Sequence, residues 1–139
     1  MAVEPGLEII AYFVQPCPDC GAACGGTVRI WYLHGQRKLA FETDRASLRR
    51  CLEAVVDEAF AQGGYDALPA WIRHWNEGSD WAALASPATQ VDPRDLLDSV
   101  AWMQRHATSD EHASRMLAAL AEFVEAALHT GREIWTCET

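Results

Sequence analysis

Three of the chain's five cysteines fall within eight residues, in the stretch Gln-Pro-Cys-Pro-Asp-Cys-Gly-Ala-Ala-Cys-Gly-Gly-Thr that spans positions 15–27. Cys17 and Cys20 form a C-x-x-C turn, with Pro18 after the first thiol and Gly21 after the second. Two thiolates on a tight turn can reach one zinc ion, and a glycine lets the backbone turn left-handed behind them. A structural zinc takes four ligands. The expected set is therefore Cys17, Cys20, Cys24 and Cys137, with His34 as a further candidate. Cys24 lies four residues past Cys20, and Cys137 would arrive on a C-terminal strand docked beside the first strand.

The C-x-x-C turn resembles one knuckle of a zinc ribbon, but no second C-x-x-C follows to complete it. A redox pair would stand at a helix start, where the dipole lowers a thiol pKa. Here the motif separates two strand-like segments, so that chemistry is not expected. The remaining alternative is a loop of reduced thiols. Cys51 sits at the edge of an apolar helical stripe and reads as a small core residue. A Cys-dependent enzyme ranks third among the functional readings: a Cys–His pair would join positions distant in sequence, and nothing in the sequence singles one out. It also holds no phosphate-binding Gly-rich loop, no G-x-S-x-G and no H-E-x-x-H. His106 and His112 flank Ala-Thr-Ser-Asp-Glu, and their acids fit a helix start better than a metal site.

A different chemistry is suggested by Trp102, which stands off its helix's apolar arc among Asp95, Asp98, Ser99 and His106. An aromatic ring amid carboxylates suits a contact with a basic protein. The expected contact face is Asp92, Asp95, Asp98 and Trp102, with Asp110 and Glu111. Trp31 shares one strand face with Arg29 and Leu33, and it would be open to a ligand if helices covered the other face.

The elements that must position these residues change character along the chain. Leu7–Val14, with apolar residues on both faces, reads as a central strand. Thr27–Leu33 alternates, Gly35 supplies a turn, and Lys38–Thr43 returns with Leu39 and Phe41 on one face. These three are expected to form an antiparallel meander, the first pairing with the second across the cysteine loop. Helix signals follow. Thr43 or Asp44 caps a segment running to Gly63, with Leu48, Leu52, Val55, Val56, Ala59 and Phe60 expected on one apolar stripe. A second helix lies near Leu68–Asn76, and Ser79–Ser86 suggests a further short turn. Asp92 and Pro93 open a third helix, and a Thr108/Glu111 capping box opens a fourth that stops at Gly131. Arg132–Glu138 has brief β character. The expectation is one α+β domain over residues 1–139: a three-stranded meander, about four helices packed on one face, and a short C-terminal strand.

Charge narrows the partner. Residues 1–50 carry six basic and five acidic groups, whereas residues 51–139 carry five basic and fifteen acidic, a balance of −10. Such a field repels nucleic acid and anionic lipid and attracts a basic partner. No apolar run is long enough to span a membrane, and the first ten residues lack a basic-then-apolar leader pattern. A cytoplasmic location with reduced thiols is expected. Taken together, the residues imply a small acidic protein-binding domain without catalysis, in one concrete form an immunity- or antitoxin-type inhibitor of a basic protein. The alternative is a zinc-binding domain built on the cysteine knuckle.

Overall fold

A computed structural model describes residues 6–19, 21, 26–77, 89–106, 110–131 and 133–138. The chain is α+β, with five strands and four helices among the described residues. In chain order these are β1 (Leu7–Phe13), β2 (Thr27–His34), β3 (Arg37–Asp44), α1 (Arg45–Gln62), α2 (Ala70–Asn76), β4 (Thr89–Val91), α3 (Pro93–Gln104), α4 (Glu111–Thr130) and β5 (Ile134–Glu138), with a 3-10 turn at Tyr65–Ala67 before α2.

The expected meander is corrected. The strand order is β1-β3-β2-β5-β4, and β1 pairs with β3, in parallel, rather than with β2. The reason lies in β3, where residues from Leu39 to Asp44 are all buried. β3 takes an interior position, with β1 on one side and β2 on the other, and its burial accords with that place in the sheet. Leu7–Phe13 is displaced to the edge, and the expectation that it is a central strand fails with it. The C-terminal strand is present and lies beside β2, not beside β1 as proposed for bringing in Cys137. It is flanked on its other side by β4, an element the sequence did not signal.

Helix ends follow the expected caps closely. The Asp44 carboxylate accepts from the Ser47 N–H at 2.8 Å, and Gly63 closes α1 with φ of 71°. Asp92 accepts from the Arg94 N–H at the start of α3. At α4 the cap is Asp110, which accepts from the Ala113 N–H at 3.1 Å. This replaces the expected capping box, whose Thr108 lies outside the described residues, as does the segment Ser79–Ser86.

The core sits between the helices and one sheet face. Tyr32 and Phe41 meet Phe123 of α4 at ring distances of 5.1 and 6.1 Å, and the Thr43 hydroxyl donates to Met116 Sδ. Leu48, Leu52 and Val55 of α1, Leu96, Val100 and Met103 of α3, and Leu117, Leu120 and Val124 of α4 belong to the same buried cluster. Alternation sends Arg29, Trp31, Lys38 and Trp135 to the opposite face. Trp31 is half-buried there, stacked on Trp135 at 5.7 Å and covered by the Lys38 ammonium at 4.1 Å. Its ring is already engaged by both side chains, so it is less open to a ligand than its strand position implied.

Candidate functional site: an acidic pocket between α2, β4 and α3

Asp95 decides the local architecture. One of its carboxylate oxygens accepts from the Ala70 N–H at 2.9 Å and the other from the Trp71 N–H at 2.6 Å. It thereby caps α2, whose own preceding residue, Pro69, has no side chain able to do so. The short helix is held against α3 by this contact, and β4 arrives beside both on its way into Asp92. A pocket of about 290 Å³ opens between the three elements, walled by Trp71 and Val91 and rimmed by His74, Gln90, Asp92 and Asp95. Through Gln90, Val91 and Asp92 it continues into a cleft of about 650 Å³ that reaches Arg94, Leu128 and Glu133. Asp92, Asp95 and Glu133 outnumber Arg94 around this concavity, and the largely buried Trp71 side chain lies along its wall. That combination suits a cationic side chain, which gains both from carboxylates and from an aromatic wall.

The expected contact face is only partly assembled. Asp92 and Asp95 line the pocket together, and Asp98 is exposed one turn further along α3. Trp102 is half-buried, with the Arg105 guanidinium 4.8 Å from its ring, and its carbonyl is bonded to His106 Nδ1. His106 Nε2 in turn meets the Glu58 carboxylate of α1. Asp110 and Glu111 follow the far end of α3, a helix of 12 residues that is about 18 Å long at the usual rise. There Asp110 caps α4 and Glu111 pairs with Arg115. The six residues therefore divide into the pocket pair Asp92 and Asp95, the pair Asp98 and Trp102 further along α3, and the distal pair Asp110 and Glu111. The sequence reading did not include Trp71, His74 or Glu133 in the site. Asp95 at the third position of α3 looked like a local acid, and nothing in its own segment announces a cap twenty-four residues back.

The cysteine candidates fall in three places. Cys17 is half-buried, in a turn closed by the Gly21 N–H donating to the Cys17 carbonyl at 2.8 Å. Cys20 and Cys24 lie outside the described residues. Both ends of their loop are tied to the β3–α1 junction: the Gln15 N–H donates to the Asp44 carboxylate, and the Arg45 N–H to the Gly26 carbonyl. Cys137 lies opposite Arg29 in the β2–β5 ladder. Burial pushes its thiol above the ordinary value, although Arg29 and Lys38 pull the other way. Burial, with Asp110 adding to it, pushes Cys51 up to about 11. At neutral pH both of these remain protonated thiols rather than nucleophiles. Among the described residues no three His, Cys, Asp or Glu side chains gather into a metal-holding group. No known family, curated protein or solved structure matches the chain. Among those residues no helix is long and apolar enough to cross a membrane.

Proposed function

We propose that this chain is a binding domain without catalysis that captures a basic protein, taking a Lys or Arg side chain of that partner into the pocket between α2, β4 and α3. The observation that carries the reading is the convergence of Asp92 and Asp95 with Trp71 around one cavity, in the part of the chain where acidic residues outnumber basic ones three to one. Long-range attraction to that charge speeds encounter, and the pocket supplies the local contact. An immunity- or antitoxin-type inhibitor fits this description, since such a protein acts by covering a surface and needs charge and anchors rather than a nucleophile.

The test compares charge reversals of equal size. Glu133→Lys places a positive charge in the cleft that shares Gln90, Val91 and Asp92 with the pocket, whereas Asp57→Lys alters an exposed position on α1 that lines neither. Recovery of a basic partner from native cell extract should be salt-sensitive. The cleft variant should then weaken binding to that partner about tenfold, equivalent to ~1.4 kcal/mol, and the α1 variant by less than twofold. Equal losses would reduce the effect to a general field and remove the pocket from the account.

A further inference from the structure

We infer that two copies of this chain associate through β1, pairing edge to edge into a continuous sheet. Only one side of β1 is occupied, by β3, so the alternate backbone N–H and C=O groups on its other side meet no strand among the described residues. The strand is seven residues long, roughly 23 Å at the usual rise. Three of the five large apolar side chains that the described residues expose lie on it: Ile9 at 42%, Ile10 at 51% and Tyr12 at 63%.

Natural edge strands are guarded by Lys, Pro, brevity or bulges. Brevity protects the opposite edge, β4, with three residues. Leu7–Phe13 has neither Lys nor Pro, and its one charge, Glu8, is paired with Arg37 of β3. Its sole guard is a shift of register between Ile9 and Ala11. That leaves a long apolar edge able to accept a strand.

Charge leaves this edge as the place where a second copy can approach. Approach through the helical layer would bring two surfaces of residues 51–139 together, each with a balance of −10. The segment that contains β1, residues 1–50, is balanced to within one charge. Two copies can therefore meet at this edge without that repulsion. An edge strand paired antiparallel with itself across a two-fold axis is also self-complementary, each outward donor meeting the copy's acceptor. The acidic pocket lies beside β4, at the far edge of the sheet. A dimer through β1 leaves both pockets open.

Sedimentation equilibrium of the full chain from about 5 to 200 μM is the test, joined to hydrogen exchange on β1. The expected result is a dimer of twice 15.4 kDa, with β1 amides exchanging more slowly as concentration rises. Ile10→Lys and Tyr12→Lys, both at exposed positions, should weaken association tenfold or more while leaving the thermal transition in place. Leu33→Lys, exposed on β2, should leave it unchanged. A monomer across the range overturns the inference. So does a dimer that the two β1 variants leave intact, or whose formation leaves exchange on β1 unaltered. None of these outcomes bears on Glu133→Lys, so failure here and failure of the pocket reading remain distinguishable.

Discussion

The Asp44 side chain holds three segments at one point. It caps α1 through the Ser47 N–H, receives the Gln15 N–H at the entrance to the cysteine loop, and has His112 Nε2 of α4 3.8 Å from one oxygen. Burial alone would raise this carboxyl, but the hydrogen bonds from Ser47 and Gln15 outweigh it, and the group lies below its ordinary value. A carboxyl depressed in the folded state stabilises the fold above its unfolded pKa, near 3.9, and that contribution fades as pH falls towards the folded value. Asp44→Ala should therefore cost about 1–2 kcal/mol at pH 7, and urea titrations of the two proteins should converge as pH drops below about 4. A gap that stays constant down to pH 3 would mean the carboxylate's charge is not what stabilises the junction. The capping half of this role was legible, because an acid before an apolar stripe is a local signal. The contacts to Gln15 and His112 were not, since they join positions 29 and 68 residues away.

At the level of elements, helices were legible because their caps and stripes are local, whereas strand partners were not. Sequence alternation shows which face of a strand is apolar, but not which strand lies beside it. The hairpin of β2 and β3 was readable because a short turn joins them; β1 instead pairs with a strand that lies beyond β2 in the chain. Gly6 makes that long-range pairing geometrically possible. Its φ is +82°, its carbonyl accepts from the Lys38 N–H at 2.8 Å, and a Cβ there would stand 2.4 Å from the Gln36 carbonyl oxygen. Gly131 has a similar φ, +67°, but open space around it. Both substitutions to Ala pay the left-handed strain of about 1 kcal/mol, and only Gly6→Ala adds a backbone clash. Chemical denaturation should show Gly6→Ala as the more destabilising of the two, by a further ~1 kcal/mol or more, with β1 amides losing exchange protection first. If the two variants are equally stable, β1 does not depend on the close approach at Gly6.

For the molecule as a whole, the last residues are structurally central. β5 lies between β2 and β4, Ile134 and Thr136 are fully buried, and without β5 the three residues of β4 have no strand to pair with. β4 leads directly into Asp92 and so forms one wall of the pocket. The acidic site therefore depends on β5, which joins the pocket-forming β4 to β2 and the rest of the sheet. Burial of Ile134 contributes roughly 2–3 kcal/mol, and the ladders on both sides of β5 are lost with it. Against a total stability of about 5–15 kcal/mol for a domain of this kind, that loss is decisive. A chain ending at Glu133 should keep helical far-ultraviolet dichroism but lose its sharp thermal transition and its fixed aromatic signals, Trp135 being gone and Trp31 left without its stacking partner. A truncated chain that melts cooperatively within a few degrees of the full protein would show that the N-terminal sheet and the helices fold without β5. The pocket would then have to be positioned by the Asp95 cap on α2 alone.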